Sequence, residues 1–212
     1  MAYQELNLRR MGRDHSPVLV VSGPPGAGKS TLSVAAMGHG EMFELVRYLN
    51  VGDAMFDVAT EDNFFSQLRT KDDFGRALSA PELEAVLGFS LGLKLGEANA
   101  KDLRLLADAH LAPKHRGRIL DVSHYYNLIR PAGIVHVYAD PEQMQAWEEE
   151  DEARKRPRRS RRDIAAHHKA SLKAARDLSR ETGARLVTVW NRPGHIEEGA
   201  WTIVDVAYEL FL

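Results

Sequence analysis

Pro17-Val-Leu-Val-Val-Ser-Gly-Pro-Pro-Gly-Ala-Gly-Lys-Ser-Thr31 reads as a short apolar strand, a glycine-rich turn and the start of a helix. Gly23, Gly28, Lys29 and Ser30 stand at the spacing G-x-x-x-x-G-K-[ST], that of a phosphate-binding loop. The residue types answer to the chemistry. Glycines let the backbone take conformations closed to other residues and leave room for phosphate against bare N–H groups. The helix that follows points its positive N-terminal end at the same place. Gly23, Pro24, Pro25, Gly26, Ala27, Gly28, Lys29, Ser30 and Thr31 therefore form the expected cradle for ATP. Within it, Lys29 is placed for the β- and γ-phosphates, and the Ser30 hydroxyl for Mg²⁺. A chance glycine-rich turn would need no strand before it and no helix after it. The motif alone leaves motors, switches and kinases open.

The chain has 212 residues, enough for one domain with a full hydrophobic core. A net charge of −2 gives no overall nucleic-acid signal. The absence of cysteine removes disulfides and thiolate metal sites. No apolar run approaches the roughly 20 residues that span a bilayer, and the first 16 residues lack the apolar centre of a secretory signal. A cytoplasmic location is the default expectation.

Working outward, Phe43–Asn50 reads as a second strand. A turn at Gly52-Asp53 leads into a short helix with Met55, Phe56, Val58 and Ala59 inward. Ser79-Ala-Pro-Glu82 is a capping box opening a helix that carries Gly88, Gly92 and Gly96 at four-residue spacing, a pattern suited to close packing. Lys101–Ala112 reads as helical, Arg118–Val122 as the third strand, Gly133–Ala139 as the fourth and Arg185–Trp190 as the fifth. Helices are expected from Pro141, over Ile164–Thr182, and from Glu197 to the end. Strands alternating with helices predict the three-layer α/β fold of a P-loop NTPase: a five-stranded parallel sheet with helices on both faces. One domain over 1–212 is expected. Residues 1–16 form an N-terminal extension, an acceptor-binding insert spans about 53–116, and a lid spans about 153–163.

A second motif narrows the choice. Asn50, Gly52, Met55, Phe56, Val58, Ala59 and Glu61 form N-x-G-x-x-M-F-x-V-A-x-E. This resembles the stretch after the second strand in archaeal-type adenylate kinases, members of the P-loop nucleoside monophosphate kinase family. Asp73-Phe-Gly-Arg-Ala-Leu78 resembles that family's D-x-x-R-x-L. Ile119-Leu-Asp121 resembles its third-strand ending, and Arg162-Asp163 its entry into a long helix. Gly183-Ala184 through Trp190-Asn191 resembles its G-A-strand-N segment. The likeness covers roughly residues 17–212. Asp121 is followed by Val122-Ser123-His124, where the family has a pair of the form x-His.

The resemblance implies transfer of the γ-phosphoryl of ATP to AMP with Mg²⁺. It implies acceptor contacts from Gly52, Asp53, Phe56 and Arg76, with Arg76 on the acceptor phosphate. It implies adenine contact near Asn191. By position, the run Arg154–Arg162 resembles the lid that closes over ATP, with Arg158 and Arg162 as its cations. Asp121, ending an apolar strand near the loop, joins Ser30 as a candidate Mg²⁺ ligand. Lys29, Arg76, Asp121, Arg158 and Arg162 form the expected catalytic set. Other readings stay open. Asp121 also reads as a strand-end turn residue, Asp53 as a helix cap, and the arginine run as a solvated face or a nucleic-acid patch. No aromatic residues interleave with those arginines for stacking. The acceptor is thus a nucleoside monophosphate or another small molecule. A nucleotide-hydrolysing switch or RNA-associated factor is the alternative class, and no membrane partner is expected. The oligomeric state is open.

Overall fold

The computed structural model describes residues 17–39, 46–61, 65, 68–70, 73–150 and 158–211, and at Gly75 and Arg76 the backbone only. The expectations for residues 1–16, for the start of the second strand at Phe43 and for residues 153–157 of the lid fall outside the described residues.

The strands are β1 (Val18–Ser22), β2 (Val46–Asn50), β3 (Arg104–Asp108), β4 (Lys114–His115), β5 (Arg118–Ile119), β6 (Gly133–Tyr138) and β7 (Arg185–Trp190). Five of them form a parallel sheet in the order β2-β3-β1-β6-β7. The helices are α1 (Lys29–Met37), α2 (Val51–Glu61), α3 (Phe74–Ala77), α4 (Ala80–Asn99), α5 (Ser123–Leu128), α6 (Pro141–Glu150), α7 (Arg161–Thr182) and α8 (Ile196–Phe211).

Every residue of β1 is buried, which is why it reads as an unbroken apolar run rather than an alternating one. Val18 and Val20 face a core built with α2, α4, α5 and α7. Leu19 and Val21 face a second core built chiefly with α1 and α8. The capping box forms as expected: the Ser79 N–H donates to Glu82 Oε2 at 2.7 Å, and the Glu82 N–H to Ser79 Oγ at 3.4 Å. Gly88 faces the Tyr125 ring, which a Cβ would meet at 3.2 Å. The glycine spacing on α4 thus serves close packing within the chain at this position.

Two expectations are corrected. Residues 101–112 are not helical; Arg104–Asp108 is the third strand of the sheet, paired with β1 and β2. Leu105, Leu106 and Ala107 are buried, and a run this short fits either a strand or a buried helix turn by spacing alone. The flanking Leu103 and Leu111 imitated a helical period. Conversely, only Arg118–Ile119 of the expected third strand is extended, in an antiparallel ribbon with Lys114–His115. Arg118 and Ile119 are exposed, so no layer covers them as a central parallel strand requires. The five-strand count therefore holds with a different third member. The segment between β2 and β3 is 51–103, so β3 falls inside the range 53–116 expected of the insert.

Candidate functional site: the phosphate cradle and its carboxylate

The cradle closes the gap between β1 and α1. Gly23 has φ +151°, and a Cβ there would overlap the Val137 carbonyl oxygen. Gly28 has φ +83°, and a Cβ there would overlap the Asn191 amide. At these two positions the motif's glycines are required by both backbone angle and space. Lys29 is 5% exposed, and its ammonium donates to the Pro24 carbonyl at 3.1 Å. The lysine thus already lies folded across the loop.

Ser30, exposed at the first turn of α1, donates its hydroxyl to Asp108 Oδ2. Asp108 ends β3 and is 5% exposed. Tyr48 of β2 donates to the same oxygen at 3.1 Å. Burial, and then the neighbouring Asp108 charge, push the Tyr48 phenol up to about 12, so it stays a donor at neutral pH. Two residues beyond Asp108, His110 Nδ1 lies 3.2 Å from the Gly23 carbonyl oxygen. Asp108-Ala109-His110 is therefore the strand-end acid followed by x-His that Asp121 lacks.

Asp121 stands elsewhere. It is exposed, lies past the ribbon, and accepts hydrogen bonds from the Ser123 N–H at 3.0 Å and the Ser123 hydroxyl at 2.6 Å. It closes a local turn onto Ser123 ahead of α5 and ends no strand of the parallel sheet. The acid that ends a strand beside the loop is Asp108, not Asp121. The signal that would have found Asp108 is the pair spacing to His110 after three buried apolar residues.

Asn191 follows β7 as expected, but it does not point outward toward a base. It is 5% exposed, its N–H donates to the Tyr138 carbonyl at 2.8 Å, and its amide donates to the Ala27 carbonyl at 3.0 Å. Its contact is with the loop itself.

Of the arginine run, the described part begins at Arg158. Arg158 and Arg162 are exposed. Arg159, which spacing did not single out, lies on the loop: its guanidinium donates to the Pro25 carbonyl at 2.8 Å and to Glu148 Oε1, from Nε at 2.7 Å. Arg161 pairs with Glu142 at 3.2 Å. Glu148 and Glu142 thus each hold one arginine of the run. Ser160 caps α7 by accepting from the Asp163 N–H at 3.1 Å.

Gly52 and Asp53, expected to meet the acceptor, lie in the first turn of α2, where the Asp53 N–H donates to Asn50 Oδ1 at 3.1 Å. Phe56, on the same helix, packs edge-on against Phe74 with ring centroids 6.3 Å apart. Asp73 accepts from the Arg69 and Thr70 N–H groups at 2.9 and 2.8 Å, which fixes the entry to α3. Arg76 lies on that helix, and its side chain falls outside the described residues.

Beneath the cradle, His136 of β6 is fully buried and has no hydrogen-bond partner at either ring nitrogen. Its ring lies 5.4 Å from that of His168. Burial first, then the neighbouring His168, Lys29 and Arg176, push it down to about 3. It is a neutral core residue, as its place within an apolar strand implied.

The model of the family described as AAA domain matches residues 22–165, more than half of the chain. An adenylate kinase of Methanococcus aeolicus is 28% identical over 195 residues, covering 89% of this chain and 96% of that protein. An adenylate kinase of Methanopyrus kandleri is 26% identical, covering 91% and 98%. A shikimate kinase of Bacteroides thetaiotaomicron superposes with a TM-score of 0.56 at 13% identity, covering 91% of this chain and 98% of that one, and shares the fold. Among the described residues no helix is long and apolar enough to cross a membrane. The chain belongs to the AAA domain family and is an ATP-dependent phosphotransferase that resembles the archaeal adenylate kinases.

Proposed function

We propose that the protein is a nucleoside monophosphate kinase that moves the γ-phosphoryl of ATP to AMP with Mg²⁺. The observation that carries the reading is the Ser30–Asp108 pair: a hydroxyl from the phosphate loop and a buried carboxylate from the adjacent strand, hydrogen-bonded at the mouth of the cradle. Both are hard oxygen donors, the set a magnesium ion takes alongside phosphate oxygens. Asp108 takes the metal role in place of Asp121.

Phosphoryl transfer needs little covalent help; it needs two substrates held in line and the moving charge neutralised. The loop N–H groups and Lys29 hold the β- and γ-phosphates of ATP. A magnesium ion held by Ser30 and Asp108 would neutralise charge on those same oxygens. Arg159, already on the loop, swings from Glu148 to the phosphates, and Arg158 and Arg162 join it from the exposed edge as lid cations. Asn191 holds the loop from below. Residues 51–103, with Gly52, Asp53, Phe56 and Arg76, present the acceptor, whose phosphate meets Arg76. The relatives named adenylate kinase, matched along about nine-tenths of this chain, support AMP as that acceptor. We further propose one domain across the chain, with 51–103 as acceptor insert and about 153–163 as lid.

The test is an acceptor panel. The protein is incubated with ATP, Mg²⁺ and each of AMP, CMP, UMP, GMP and dTMP, and with shikimate and a hexose. ADP accumulating at two per AMP consumed, without inorganic phosphate, supports the reading. Transfer to a non-nucleotide changes the acceptor, and inorganic phosphate alone points to a hydrolysing switch.

A further inference from the structure

Asp108 Oδ2 accepts two hydrogen bonds. One comes from Ser30, which follows β1 through the loop. The other comes from Tyr48 on β2 at 3.1 Å. The two donors differ in what they do next. Ser30 stands at the exposed first turn of α1, and in the proposed reaction its hydroxyl turns to the metal. Tyr48 is half-buried in the middle of its strand, where it packs against the core of the α1–α8 layer, and it has no such second task. Its backbone is fixed by parallel pairing with Leu106, and Asn50 two residues on pairs with Asp108 itself. The phenol is therefore a donor whose position is set by the sheet.

From this geometry we infer that Tyr48 is a positioning residue: its hydroxyl holds the Asp108 carboxylate in its metal-binding orientation once Ser30 has left it. The inference rests on the proposed role of Asp108. A carboxylate that loses its hydrogen-bonding neighbours turns and solvates differently, and outer-shell partners of this kind typically govern about 10- to 100-fold in metal affinity. The same residue ties the site to the acceptor side. β2 runs into α2 without a break, from Asn50 to Val51, so the strand that leads into the acceptor segment also carries the donor that fixes the carboxylate.

The test is Mn²⁺ binding, followed by electron paramagnetic resonance, to the full chain saturated with a non-hydrolysable ATP analogue. It is run on the wild type, Tyr48→Phe, Asp108→Asn and the double variant. The expected result is Mn²⁺ binding weakened about 10- to 100-fold in Tyr48→Phe. The Mg²⁺ concentration for half-maximal turnover should rise by the same factor, with acceptor KM within about twofold. In the double variant, Tyr48→Phe should add nothing to Asp108→Asn, because the hydroxyl acts only through that carboxylate. Unchanged Mn²⁺ affinity in Tyr48→Phe, with Asp108→Asn impaired, overturns this inference and leaves the proposed reaction standing. Unchanged affinity in Asp108→Asn overturns both. A Tyr48→Phe loss equally large in the Asp108→Asn background assigns the hydroxyl to general packing and also overturns it. Tyr48→Leu, which removes the ring as well, separates a packing loss, read as a lowered melting temperature, from the loss of the hydroxyl alone.

Discussion

Asn191 and Gly28 are packed so closely that no methyl group fits between them: a Cβ on Gly28 would overlap the Asn191 amide nitrogen, which donates to the Ala27 carbonyl at 3.0 Å. The end of the edge strand β7 thus supports the phosphate loop across 164 residues of sequence. A loop that must present bare N–H groups to phosphate has few contacts of its own, so its shape depends on such props.

Asn191→Ala should therefore weaken ATP before it weakens the fold. Removing the amide leaves the buried Ala27 carbonyl without its donor, at a cost of about 1–3 kcal/mol. Part of that falls on the loop's binding geometry, and ATP-analogue affinity is expected to drop about tenfold by calorimetry. Gly28→Ala should be worse, since its φ of +83° strains any other residue and its methyl displaces the same amide. Equal affinities in Asn191→Ala and wild type would show that the loop holds its shape alone.

The arginines near the lid should not contribute equally. Arg159 spans Glu148 and the Pro25 carbonyl, whereas Arg158 and Arg162 are exposed. Arg159→Ala is expected to raise the ATP KM by about tenfold or more, as loss of a charge-assisted partner does. Arg158→Ala and Arg162→Ala should have smaller effects, screened by salt. Steady-state kinetics at two ionic strengths read the difference, and a larger loss from Arg162→Ala would reverse the order.

Acid should destabilise the fold through His136. Its pKa is held at about 3, below the ordinary 6.5. The unfolded chain therefore takes up a proton below about pH 6.5 that the folded chain refuses until about pH 3. Stability from this group is complete above about pH 6.5 and is lost as pH falls through that window, by about 2 kcal/mol at pH 5. Urea midpoints at pH 7.5 and pH 5 should fall in the wild type and fall less in His136→Val. His167 and His168 are also pushed down by burial, so part of the dependence should remain. An identical fall in both proteins would place the acid sensitivity elsewhere.

What the sequence disclosed follows from how local each signal is. The cradle from Gly23 to Ser30, the capping box at Ser79 and Glu82 and the fully buried β1 each depend on neighbours within a few residues, and each stands where expected. The third strand was misplaced because Leu105, Leu106 and Ala107 are buried on both faces by partners far away in sequence, and five residues are too few to show a period. The same ambiguity makes Asp121, rather than Asp108, look like the strand-end acid. Arg159 was hidden in a run of similar arginines. Its distinction comes from Glu148 and the Pro25 carbonyl, contacts set by how α6 and α7 pack. Tyr48 reads as an ordinary strand residue until β2 and β3 lie side by side.

The proposed reaction stands on Asp108, paired with Ser30, as the acid of the phosphoryl-transfer site. It is tested most directly by the ATP and AMP kinetics of Asp108→Asn beside those of Asp121→Asn. Asp108→Asn should lower kcat by about 10²-fold or more, as removal of a group acting on transition-state charge does. Asp121→Asn, at an exposed turn, should stay within about twofold. Full activity in Asp108→Asn with loss in Asp121→Asn would contradict the account.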